Sequence, residues 1–125
     1  MLRRVLESWL LLFRFEIMMR FAEFKDLHRL VRSVPVRASH GSDFVTSGDL
    51  CRAMDYACVF YFRRVQCLQR SCATTLLLRR YGWRAELVIG AQLVPFKSHA
   101  WVEINSVIVN DKPYVSEIYQ VLERF

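Results

Sequence analysis

At Gly82 the apolar period of the chain changes, and no other feature restricts its fold as much. Before it, apolar residues recur at the three-and-four spacing of helices, with Leu6, Trp9, Leu10, Phe13, Ile17, Phe21, Phe24, Leu27 and Val31 in one run. Leu50, Met54, Cys58, Tyr61, Val65, Leu68, Cys72 and Leu76 make a second run of the same kind. After Gly82, Ala85 and Leu87-Val88-Ile89-Gly90-Ala91 with Leu93-Val94 are unbroken apolar sequence, as in a strand buried on both faces. His99 to Ile104 and Val107 to Asp111 follow as second and third strands around Asn105-Ser106. Helices first and antiparallel strands after them predict an α+β domain.

Within that frame, residues 1–34 read as an N-terminal amphipathic helix closed by Pro35. Leu11, Leu12, Phe15, Met18 and Met19 widen its apolar face, so the helix is either sandwiched in the core, the simpler expectation, or touches a second molecule. His28, among Lys25, Asp26 and Arg29, is expected in solvent. The Ser- and Gly-rich stretch from Pro35 to Gly48 reads as a loop, in which His40 is a rival base only if the loop folds over a site. Thr46 and Asp49 have the spacing of a capping box, which starts helical sequence near Asp49. Residues 49–82 are too long for one ordinary globular helix and predict two, with no local sign of where the break falls. Arg79 and Arg80 occupy the last turn, where the helix dipole favours positive charge. Gly90 suggests a bulge or a close approach in the first strand. Glu86 and Glu103 read as solvated strand charges, and Tyr114 to Phe125 as a short closing helix.

The 125 residues make one domain, 1–125, with room for a single core. Arginine supplies 15 of the 18 basic residues behind the net charge of +6, which suits carboxylate or nucleic-acid recognition alike. A basic adaptor for RNA or an acidic partner is therefore one possible function, although Tyr61-Phe62-Arg63-Arg64 comes with no RNA-binding motif, so no nucleic acid is expected. Arg14 and Glu16 interrupt the apolar run after Trp9 too early for a signal core or a spanning segment. A cytoplasmic protein without stable membrane insertion is expected. Its four cysteines, Cys51, Cys58, Cys67 and Cys72, are then thiols, and without a C-x-x-C pair neither metal nor cofactor is expected.

Cys67, His99 and Asp111 stand in the order nucleophile, base and orienter of the base, and are the candidate set for chemistry. At 100° per residue Cys72 lies on the apolar stripe of the second run, Cys58 and Cys51 near its edge, and Cys67 roughly 120° from it. A helix break just before Cys67 would place its sulfur at a helix N-terminus, where thiol pKa falls. Without that break it is a cysteine on a helix flank, and the spacing alone leaves both readings open.

Cys67-Leu68-Gln69-Arg70-Ser71, Leu76 to Gly82, Leu87-Val88-Ile89-Gly90, Pro95-Phe96-Lys97-Ser98-His99-Ala100-Trp101-Val102-Glu103 and Asn110-Asp111 together resemble the lasso peptide leader peptidases, a branch of the transglutaminase-like cysteine enzymes. The resemblance covers about Val65 to Asp111. It departs from the family at Ser98, Cys72 and Asn105-Ser106, none of them in the triad. It implies a transglutaminase-like, papain-like minimal fold with helices on a small antiparallel sheet, the nucleophile in 49–82 and the histidine and aspartate in 84–112. It also implies the catalytic set Cys67, His99 and Asp111, and the break before Cys67. The activity implied is a cysteine endopeptidase that removes the leader of a precursor peptide through a thioester, with transfer of the acyl group to an amine as the nearest alternative. Partners implied are the precursor, a separate leader-recognition winged-helix protein and an ATP-dependent lasso cyclase.

The triad also constrains register. A two-residue turn of Asn105-Ser106 pairs His99 with Lys112 and sends Asp111 to the opposite face, whereas a three-residue turn of Ile104-Asn105-Ser106 pairs His99 with Asp111. The longer turn is the expectation.

Overall fold

The computed structural model describes residues 2–36, 46–93 and 95–125, so that His40 lies outside the described residues. In chain order come α1 (Leu2–Phe21), α2 (Phe24–Ser33), α3 (Ser47–Val59), α4 (Cys67–Arg80), β1 (Ala85–Gln92), β2 (Lys97–Ile104), β3 (Val107–Ile108), α5 (Val115–Ile118) and β4 (Gln120–Arg124). The strands form one antiparallel sheet in the order β3-β2-β1-β4. The domain is α+β, in agreement with the change of period at Gly82.

Three expectations need correction. The first run is two helices, because Ala22-Glu23 interrupts it and the Asp26 carboxylate accepts the Glu23 N–H at 3.2 Å to start α2. Spacing missed the break because both helices bury apolar residues in one core, Leu11, Leu12 and Phe15 from α1 and Leu27 and Val31 from α2. The tail is not one helix: α5 is a single turn, and Gln120–Arg124 then adds an edge strand to β1. Its apolar residues Val115, Ile118, Val121 and Leu122 were equally compatible with a helix, and only the open β1 edge decides for a strand. Finally, His28 is half-buried rather than solvated, with Nε2 2.6 Å from the Glu123 carboxylate of β4 and its ring 4.1 Å from that of Phe125.

The second run does divide. Thr46 caps α3, its hydroxyl accepting the Asp49 N–H at 3.1 Å. Tyr61 to Gln66 is not helical, and α4 opens at Cys67 with a cap that the spacing could not reveal. Gln69 Oε1 accepts the Gln66 N–H at 3.4 Å, while Gln69 Nε2 donates to the Leu12 carbonyl of α1 at 2.8 Å. One buried amide thus fixes both where α4 begins and where it sits against α1. Gly82, at φ 90°, ends α4 as the left-handed residue a helix C-terminus favours.

Alternation then sorts the sheet into two faces. Ala85, Leu87 and Ile89 of β1 with Ala100, Val102 and Ile104 of β2 join the core under the helices. Val88 and Trp101 face the other way and pack with Val115, Ile108, Tyr119 and Val121. The unbroken apolar sequence of β1 follows from this, since both faces are covered.

Arg79, expected only to complement the dipole of α4, is a buried staple. Its guanidinium donates to the carbonyls of Ala85 at 3.0 Å, Val34 at 3.3 Å and Phe125 at 2.8 Å, and to that of Val31. Arg80 is partly exposed and pairs with Glu7 at 3.1 Å. Replacing Arg79 by Met strands those carbonyls and should lower unfolding free energy by about 3 kcal/mol, whereas Arg80→Met should cost under about 1 kcal/mol. Urea unfolding of both variants checks this, and equal midpoints would refute the staple.

Candidate active site

Cys67 is the first residue of α4 and is exposed, whereas Cys72 is fully buried. Its backbone N–H is among the first four of the helix, which have no partner within it, and its side chain stands at the positive end of the helix dipole. The helix runs in the same direction as β2. One turn on from Cys67, the Ser71 hydroxyl donates to the Ala100 carbonyl at 3.0 Å, and at the far end Arg79 reaches Ala85, whose β2 partner is Ile104. A helical turn rises about 5.4 Å and a strand residue about 3.4 Å, so Cys67 is level with the start of β2, where His99 lies.

His99 and Asp111 are brought together directly. The imidazole Nε2–H donates to Asp111 Oδ2 at 2.5 Å, and Asp111 Oδ1 accepts the Lys112 N–H at 2.8 Å. This happens in spite of the register. Ile104 pairs with Val107 and Glu103 with Ile108, so the turn is the two-residue Asn105-Ser106, both at positive φ of 51° and 66°, and the three-residue turn expected from the triad is wrong. The expected consequence, Asp111 on the wrong face, does not follow either. Pairing continues past Ile108 only through the Val109 N–H, which donates to the Val102 carbonyl at 3.0 Å, and the bend that follows frees Asp111 from alternation.

Asn110 makes that bend. Its Oδ1 accepts the Val102 N–H at 2.8 Å, standing in for a ladder partner, and its Nδ2 donates to the Ser71 hydroxyl at 3.2 Å. The chain Val102, Asn110, Ser71, Ala100 therefore ties β2, the bend and α4 into one unit. An Asn where a strand pattern continues is the signal that could have found it, since Asn is depleted in strands and turns the backbone.

The surroundings of His99 are aromatic. Its ring lies 5.2 Å from that of Tyr119 at 22° and 6.1 Å from that of Trp101 at 29°. Trp101 Nε1–H donates to Glu103 at 2.8 Å, and Arg124 donates to the same carboxylate at 2.5 Å. Glu103 is therefore a buried, fully paired carboxylate, which corrects its reading as a solvated charge; Trp101 needed an acceptor on its own face, and residue 103 is two positions along. His99 shares the Trp101 face of β2, and α4 packs on the Ala100 face. Among the described residues no hydrogen bond joins Cys67 Sγ to the imidazole, and no three His, Cys, Asp or Glu side chains converge as a metal-holding group.

The remaining thiols are chemically quiet. Burial pushes Cys72 up to about 12, with the neighbouring Cys67 adding to it, and pushes Cys51 up to about 11, with Asp55 adding to it. Burial also raises Cys58. At about pH 8 iodoacetamide should label Cys67 in the folded protein and the other three only after unfolding, because thiolate and access are both needed. Peptide mass spectrometry checks this; prompt labelling of Cys51 or Cys72 would contradict it.

Comparison with known proteins adds two findings. The family model described as the Transglutaminase-like superfamily matches residues 9–124. The Microcin J25-processing protein McjB of Escherichia coli is 38% identical over 56 residues, which make up 45% of this chain and 27% of that protein. No solved structure matches the chain.

Proposed function

This chain belongs to the transglutaminase-like superfamily, and from that premise we propose that it is a cysteine endopeptidase that removes the leader from a ribosomally made lasso peptide precursor. The observation that carries the reading is the imidazole–carboxylate pair of His99 and Asp111 at 2.5 Å, level with a cysteine at a helix N-terminus. Similarity to the Microcin J25-processing protein McjB supports the substrate class.

Asp111 holds the proton of His99 on Nε2, which leaves Nδ1 as the base. Nδ1 takes the Cys67 proton, and the thiolate attacks the carbonyl carbon of the last leader residue. The negative charge that develops on oxygen is met by the Cys67 N–H at the start of α4. His99 then protonates the leaving amine, the C–N bond breaks and a thioester remains. Water, deprotonated by His99, attacks the thioester and releases the leader as a carboxylate, with the proton returned to the thiol. The first step requires Cys67 Sγ and His99 Nδ1 to meet, so the proposal needs the two side chains to be brought together in the substrate complex.

Partners follow from the same reading: the precursor, a separate winged-helix protein that holds the leader, and an ATP-dependent cyclase that consumes the freed amine. Alongside its buried face, α1 exposes Leu6, Leu10, Phe13 and Ile17 at four-three-four spacing. The exposed charges beside this seam, Arg3, Arg14 and Arg20, are all basic, so two copies of α1 would repel each other and an acidic partner helix fits better. No described helix is long and apolar enough to cross a membrane.

Cys67→Ala should abolish cleavage of precursor in the presence of a leader-binding protein, read by mass spectrometry, while Cys72→Ala should cost about 1 kcal/mol of stability and keep activity. Asp111→Asn should retain a fraction of the rate. Retained cleavage in Cys67→Ala sinks the assignment; a product joined to an added amine in place of water would redirect it to acyl transfer. Leu10→Glu with Ile17→Glu, chosen outside the Trp9–Phe13–Phe62 aromatic cluster, should lower cleavage of full precursor and spare a short peptide. Equal loss on both substrates would refute docking at α1.

A further inference from the structure

The aromatic contacts around His99 share a cause, the missing side chain of Gly90. Gly90 lies opposite His99 in the β1–β2 register, and β1 runs between β2 and β4. Rings from the two flanking strands would ordinarily be kept apart by a side chain at this place. A Cβ on Gly90 would stand 2.7 Å from Trp101 Cη2 and 2.9 Å from Tyr119 Cβ, well inside the roughly 3.5 Å at which carbon atoms pack. With only hydrogen there, the Trp101 and Tyr119 rings close to 6.4 Å and Tyr119 stacks on the imidazole at 5.2 Å.

Tyr119 reaches this face because of an irregularity in β4. Ile89 pairs with Glu123 but Gly90 with Val121, so Leu122 is the extra residue of a bulge. The bulge resets alternation. Glu123 can then face α2, where it meets His28 and Arg32, while Val121 and Tyr119 before it and Arg124 after it face Trp101.

We propose that Tyr119 is a positioning residue for His99, its ring admitted by Gly90 and held by the β4 bulge. Stacked on the imidazole, it fixes the ring plane so that Nε2 stays on Asp111 and Nδ1 remains the nitrogen available to the thiol. The ring performs this and the hydroxyl does not. The inference rests on the reading of His99 as the base, and its test separates the two.

Tyr119→Ala, Tyr119→Phe, Gly90→Ala and His99→Ala are compared on a short peptide containing the cleavage site, at a temperature where circular dichroism shows each folded. Tyr119→Ala should lower kcat about 10- to 100-fold with KM nearly unchanged, and Tyr119→Phe should restore it. Gly90→Ala keeps the phenol but displaces it, so its kcat should fall likewise. Independently of activity, NMR of protein with 15N-labelled histidine should show the carboxylate-bonded Nε2 proton of His99 in wild type and Tyr119→Phe, and its loss to solvent exchange in Tyr119→Ala. If Tyr119→Ala keeps both the proton signal and kcat, the positioning role is overturned. If the signal behaves as expected but neither His99→Ala nor any other variant alters cleavage, His99 is not the base and the peptidase reading falls, while the hold of Tyr119 on the ring stands.

Discussion

The rest of the structure depends on one buried cation. Desolvation lowers the pKa of Arg79, with Glu86 partly opposing it, yet a guanidinium has no accessible neutral form and must find acceptors. It finds them at the ends of other elements: the last turn of α2 and the residue after it, the first residue of β1 and the end of β4. Five N–H groups in a rigid plane can serve several carbonyls at once, which a lysine ammonium on its flexible stem cannot. The C-terminal strand is therefore anchored to α4 as well as to β1, and through α4 to the start of β2.

That anchoring explains how so small a sheet supports a site. Its helix face carries the main core, and its other face carries a compact set of Val88, Trp101 and Val115 with a paired Glu103 and Arg124. A carboxylate buried on this second face is acceptable only because both oxygens are occupied, one by the indole and one by the guanidinium. Between the faces, Asn110 and Ser71 provide a polar link from bend to helix. His99 sits where these systems meet, its backbone in the strand that α4 packs on and its ring against the second face.

How much of this was legible depends on whether the controlling interaction is local. The helix-to-strand change at Gly82, the cap at Thr46 and the burial of Cys72 were all present in spacing, because each is decided by residues within a turn or two. The break before Cys67 was not, since Gln66 and Gln69 look unremarkable until Gln69 is seen donating to Leu12 in another helix. Cys67, His99 and Asp111 were picked out by order and resemblance, and the contact between the last two is in the fold, but the turn chosen to bring them together was the wrong one. Face alternation assumes a ladder that continues, and Asn110 ends it. Glu103 was misread, and the further role of Arg79 was not seen, because Arg124 in the one case and Val31, Val34 and Phe125 in the other come from elements far away in sequence.

The two-residue turn has a further meaning for the order in which the chain assembles. Asn105-Ser106 closes a hairpin whose base–acid pair spans only 12 residues, a contact of low order that hairpin formation reaches within about 10 μs. Bringing Cys67 level with it requires the slower docking of α4 across the sheet, with α1 already in place to receive Gln69. The imidazole–carboxylate contact is thus local to one hairpin, whereas the position of the thiol depends on how α4 docks. Competence for the proposed chemistry is then a property of the consolidated core and not of the hairpin alone.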